Sequence, residues 1–78
     1  TQNPYPFELE INIPINITAT PATAQVYIGQ SQTDMVLLIE RNYNYTGTDT
    51  ISVKLPVGWW IQVNTTNASI GTPTVIGL

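Results

Sequence analysis

Four asparagines stand in triplets that match the acceptor pattern for an N-linked glycan, Asn-x-Ser/Thr with x other than proline: Asn16-Ile17-Thr18, Asn44-Tyr45-Thr46, Asn64-Thr65-Thr66 and Asn67-Ala68-Ser69. With the asparagine, serine and threonine content of this chain, chance supplies roughly 1.3 such triplets, so four is an excess that favours use. Two carboxylates, Glu8 and Glu10, stand two residues apart, a spacing that would bring a pair together as glycoside hydrolysis requires. The same pair reads more simply as solvated charge at a sheet edge, where it discourages wrong pairing. Glu8, Glu10, Asp34 and Asp49 form no Asp-x-Asp-x-Asp-Gly loop, so a calcium site is not expected. Ser31, Ser52 and Ser69 have no histidine to activate them, and the chain contains neither His nor Cys. General-base, thiolate and zinc chemistry therefore lack their usual side chains, and no catalytic residue, no metal site and no cofactor are expected.

Trp59 and Trp60 are neighbours in a strand and must face opposite ways, Trp59 toward a core and Trp60 toward a covering loop or a neighbouring molecule. A sharper alternative is a sugar-stacking platform of Trp60 with Tyr43 or Tyr45, although Tyr43 and Tyr45, on one face, read first as an aromatic ladder.

These groups must be positioned by strands. Of the 78 residues, 28 are Ile, Val or Thr, the β-branched class that suits a pleated, half-buried surface. From Phe7 to Thr18 the alternation is nearly unbroken, with Phe7, Leu9, Ile11, Ile13, Ile15 and Ile17 on one side and polar residues or Pro14 on the other. Pro14 has no amide hydrogen, so this strand is expected at an edge, or bent, or passing between sheets. A second strand spans Ala24 to Ile28. The apolar run Met35–Ile39 predicts a central strand covered on both faces. A turn at Thr46–Asp49 leads to a return strand, Thr50–Leu55, and Pro56-Val57-Gly58 makes the next turn. Trp59, Ile61 and Val63 follow as an apolar face, then a polar loop at Asn64–Ser69 and an irregular edge segment, Ile70–Leu78. About six strands with turns every eight to twelve residues predict an all-β, immunoglobulin-like Greek-key sandwich of six to seven strands.

Length allows a single small domain, divided here into an extended strand, 1–18, and a sandwich, 19–78. Only 9% of residues are charged, which leaves the surface unusually neutral and gives few groups through which acid could destabilise it. Arg41 and Lys54, the only basic residues, cannot neutralise a run of phosphates, so nucleic acid is excluded as a partner. No stretch approaches the roughly 20 apolar residues of a bilayer span, and any secretory leader is expected to have been removed ahead of Thr1.

The stretch Val36–Trp59, with its Asn-Tyr-Thr-Gly-Thr hairpin and Leu-Pro-x-Gly-Trp corner, resembles the small immunoglobulin-like domains of archaeal and bacterial surface proteins, the NEW3-like group among them. The Thr-, Asn- and Ile-rich composition also resembles glycosylated filament subunits of archaea, of thread or pilus type, although the long apolar N-terminal helix of type IV-like pilins is absent. The resemblance implies an extracellular or cell-surface structural subunit. A small domain without disulfides needs added stability, and an overlong greasy strand could supply it by completing the sheet of the next copy, giving a head-to-tail homopolymer. Phe7, Leu9, Ile11, Ile13, Ile15 and Ile17 would then be the donated face. Pairing of residues 1–18 within their own domain is the competing arrangement. An accessory binding module, carbohydrate-directed or in contact with the cell surface, is the competing function.

Overall fold

The computed structural model describes all 78 residues. It is all-β, with seven strands: β1 Leu9–Ile17, β2 Ala22–Gly29, β3 Met35–Tyr43, β4 Gly47–Leu55, β5 Trp60–Thr66, β6 Ala68–Ile70 and β7 Thr74–Gly77. Two antiparallel sheets face each other. One runs β4-β1-β6, with β7 also on β1, and the other runs β3-β2-β5. The chain changes sheet on leaving β1, β3, β4 and β5, so neighbours in sequence are mostly partners across the core rather than along a sheet.

The first strand corrects two expectations. It is the central strand of its own sheet, paired with β4 along its whole length, Leu9↔Leu55 to Ile17↔Gly47, and along its other edge with β7 and then β6. There is accordingly no boundary at residue 18, and the strand is neither an edge nor bent between sheets. Pro14 fits because of where its nitrogen faces. Its carbonyl accepts from the Gly71 amide at 2.9 Å, and the nitrogen and carbonyl of one strand residue point the same way. The missing donor therefore lies where β7, opposite Leu9–Asn12, gives way to β6, opposite Ile15–Ile17, and no bond to β4 is lost.

Inward residues of four strands make the core. Leu9, Ile11, Ile13, Ile15 and Ile17 meet Ile51, Val53 and Leu55 of β4, Ala22, Ala24 and Val26 of β2, and Tyr43, with Trp59, Ile61 and Val63 packed at its margin. Phe7 is outside it, 40% exposed, its ring stacked on Tyr5 at 5.3 Å.

The apolar run Met35–Ile39 is a third correction. It lies in β3, an edge strand rather than a covered central one, and Val36, Leu37 and Leu38 are all exposed. The expected polar loop at Asn64–Ser69 is also replaced. There β5 runs on to Thr66, turns at Asn67 and returns at once as β6. Asn67 supports that turn with φ +55°, a left-handed conformation that asparagine tolerates better than most residues. The corner at Pro56–Trp59 forms as expected, closed by the Trp59 amide on the Pro56 carbonyl at 3.2 Å with Gly58 at φ +76°.

Candidate functional site: an open sheet edge and the acceptor asparagines

A sheet edge presents unpaired amides and carbonyls, so natural edges are usually guarded by charge, proline or irregularity. The two edges on the β3–β4 side of this sandwich differ in that respect. Along β4, buried Ile51, Val53 and Leu55 alternate with exposed Thr50, Ser52 and Lys54, a polar edge with a lysine. Along β3, Met35-Val36-Leu37-Leu38-Ile39 carries no charge, no proline and no glycine, and Val36, Leu37 and Leu38 are 62%, 47% and 48% exposed. Three consecutive exposed apolar residues follow from a β-bulge. Val26 pairs Ile39 while Tyr27 pairs Leu37, which leaves Leu38 as the extra residue and breaks the alternation.

The bare stretch ends at a polar latch. Glu40 accepts from the Gln25 amide at 2.9 Å. Arg41 reaches across to Asp49 of the other sheet at 3.3 Å, and the buried Tyr43 hydroxyl donates to the same carboxylate at 2.7 Å. Burial pushes the Tyr43 hydroxyl up to about 12, helped by its bond to Asp49 and by that carboxylate's charge. The Tyr43 hydrogen bond, with the Thr50 amide and Arg41, holds Asp49 below the usual carboxylate range against the opposing effect of burial. The two shifts act at opposite ends of the pH scale. Asp49, depressed in the fold, contributes stability above its unfolded value that is lost as pH falls through its folded one. Tyr43, raised in the fold, contributes below its ordinary value of 10.0, and that is lost between there and about 12 as the unfolded chain ionises first. Thermal midpoints should thus be level from about pH 4 to about pH 10 and fall on both sides. Tyr43→Phe should flatten the alkaline limb, and melts at about pH 7 and pH 11 check it; an unchanged alkaline fall would refute this role for Tyr43.

On the opposite side of the sandwich lies a half-open apolar groove of about 330 Å³. Ile11 and Ile13 floor it, Ile61 and Val63 line one wall, and Ile70 and Val75 line the other. Residues at the chain's start close only one end of this side: Thr1 exchanges backbone bonds with Ile61, and the Asn3 amide donates to the Trp59 carbonyl. Beyond Ile61 no strand pairs with that edge of β5.

The residues singled out in the sequence are distributed as follows. Leu9, Ile11, Ile13, Ile15 and Ile17 are each at most 8% exposed within the chain's own core, so they present no donated face, and Phe7 is a surface residue. Asn16, Asn44, Asn64 and Asn67 are all exposed. Glu10 stands opposite Lys54, Glu8 is exposed, and no three Asp or Glu residues gather as metal ligands would. Tyr43 and Tyr45 meet edge to face at 5.7 Å. Trp60 pairs with Gly29 at one end of β2 and Tyr43 with Ala22 at the other, roughly 23 Å apart, so they form no shared sugar platform.

One residue with a large structural role escaped the sequence reading. Asn3 is 3% exposed; its amide donates to the carbonyls of Phe7, Leu55 and Pro56 at 3.0, 3.2 and 3.2 Å, and its side-chain oxygen accepts from the Tyr5 amide. The Asn3-Pro4 pair is a turn signal that could have marked it, but two of the three carbonyls it serves, those of Leu55 and Pro56, lie more than fifty residues away. No family model matches the chain, and neither does any curated protein or solved structure compared with it. No helix of the structure is long and apolar enough to cross a membrane.

Proposed function

We propose that the chain is a structural subunit of an extracellular, glycosylated filament or cell-surface assembly whose copies join by β-strand pairing at their sheet edges. The observation that carries this reading is the unguarded edge of β3, where Val36, Leu37 and Leu38 are exposed beside an unpaired backbone. The strand that meets a neighbour is thus β3 rather than β1, which is committed to its own core. The other side of the sandwich holds the apolar groove walled by Ile61 and Val75. A contact between unlike sides is heterologous, and repeated without ring closure it gives a head-to-tail homopolymer. The sheet changes after β1, β3 and β4, with β1 beside β4 and β2 beside β5, support an immunoglobulin-like Greek-key description of the sandwich. Four exposed acceptor asparagines support the extracellular placement.

The test is a pair of charged substitutions at the open edge, Val36→Lys and Leu37→Lys. Both side chains are solvent-exposed, so the folded monomer should lose no more than about 0.5 kcal/mol for each. Light scattering and electron microscopy should show wild-type assemblies that grow with concentration, and the double variant should remain monomeric with a near-native thermal midpoint. Assembly that survives both lysines would refute the edge, and a wild-type chain monomeric at all concentrations would refute the polymer.

A further inference from the structure

The antiparallel registers gather particular strand ends together. Ile17 stands opposite Gly47 and Ala68, Ala22 opposite Tyr43, and Thr23 opposite Thr66. The ends of β1, β3 and β5 and the beginnings of β2, β4 and β6 therefore form one pole of a molecule 38 Å long. All four acceptor asparagines lie toward it: Asn16 one residue before the end of β1, Asn44 just after β3, Asn64 two residues before the end of β5, and Asn67 in the turn that follows. Of the eleven exposed large apolar side chains, only Tyr45 and Ile70 share this half; Tyr5, Val36, Leu37, Val57 and Leu78 are among the nine in the other.

The four asparagines also differ in what the fold asks of them. Asn67 is a structural residue. Its amide donates to the Pro21 carbonyl at 2.8 Å, its carbonyl accepts from the amides of Thr18 and Ala19 and from the Thr18 hydroxyl, and its φ of +55° suits asparagine. These bonds fasten the β5–β6 turn to the β1–β2 connection. Asn16 and Asn44 make no side-chain hydrogen bond, and Asn64 only accepts one, from Gln62 at 3.1 Å, which leaves its amide nitrogen free. Packing gives no reason for asparagine at these three positions, whereas each is exposed and stands in an acceptor triplet.

We infer that the chain carries N-linked glycans at one pole, on Asn16, Asn44 and Asn64, that Asn67 is retained for the turn and stays largely unmodified, and that the opposite, apolar half is kept bare for contact between copies. This rests on the extracellular reading above. Sugar at that pole would supply hydration that so few charged side chains cannot, while leaving the unguarded part of β3 clear.

The test is glycopeptide mapping of the chain secreted from a host that N-glycosylates, with each acceptor marked by the Asn-to-Asp conversion that enzymatic deglycosylation leaves. Sugar should map to Asn16, Asn44 and Asn64, with at most a minor fraction on Asn67. Absence of sugar from those three, or occupancy of Asn67 equal to theirs, would overturn the assignment. In unglycosylated protein, Asn67→Gly should lower the thermal midpoint while Asn44→Gln and Asn64→Gln leave it in place; equal effects would remove the structural role given to Asn67. Ser31→Asn completes an acceptor triplet with Gln32 and Thr33 at the bare pole. Its glycosylated form should stay monomeric and its deglycosylated form should assemble, and assembly of both would overturn the bare half as contact surface. A chain that carries the three sugars yet never assembles, in any form, would sink the polymer and the contact role of the bare half while leaving the acceptor assignment intact.

Discussion

Ile15→Ala is expected to destabilise the protein by about 3 kcal/mol, which for a domain of this size lowers the thermal midpoint by roughly 12 to 24 °C. Ile15 is 0% exposed and lies in the central strand, with β4 on one side and β6 on the other. The truncation removes three buried carbons from a place where paired backbone on both edges prevents collapse, so a cavity term adds to the lost transfer energy. Leu37→Ala, on the exposed part of β3, serves as the control and should cost less than about 1 kcal/mol. Chemical denaturation of both variants at two protein concentrations reads the result. A loss below about 1 kcal/mol for Ile15→Ala would mean that β1 is not a core strand. A loss that shrinks as concentration rises would mean that β1 exchanges between copies after all.

Asn3→Ala is expected to cost about 2 to 3 kcal/mol, although residue 3 lies before the first strand. Two amide hydrogens are shared among three carbonyls, of Phe7, Leu55 and Pro56, and every buried side-chain polar atom has a partner. Removing the amide takes a donor from each of those carbonyls, of which Pro56 keeps the Trp59 amide, and frees the segment that holds the edge of β5 at Trp59–Ile61. Asn3→Asp keeps the shape but points a carboxylate at three carbonyl oxygens, so it should be no better than alanine. Limited proteolysis adds a second readout, since cleavage within residues 1–8 should become rapid in both variants. A thermal midpoint within about 2 °C of wild type for Asn3→Ala would show that water replaces the amide and that the residue is not a clamp.

Much of the molecule was legible in the chain because alternation is a local property. Leu9, Ile11, Ile13, Ile15 and Ile17 on one face of a strand, Ile51, Val53 and Leu55 on another, and the glycine-containing corner at Pro56–Trp59 all follow from a period of two and from turn chemistry. The acceptor triplets are equally local. Which strand stands beside which is not. An alternating strand with a proline reads as an edge, yet Pro14 is accommodated centrally because a distant segment, Ala68–Gly77, breaks its pairing at the position where the amide is missing. A continuous apolar run reads as covered on both faces, yet Met35–Ile39 lies at an edge because β4 joins the other sheet and β5 pairs the far side of β2.

By itself, then, the sequence determined an all-β chain, the inward faces of β1 and β4, and four acceptor triplets, since each rests on spacing between near neighbours. Tertiary structure alone decided that β1 is central and β3 open, that Asn3 clamps the distant carbonyls of Leu55 and Pro56, and that the acceptor asparagines share one pole. Those outcomes depend on hydrogen-bond pairing and burial between segments separated by tens of residues, and a spacing rule carries no information about which distant partner supplies the other half of a bond.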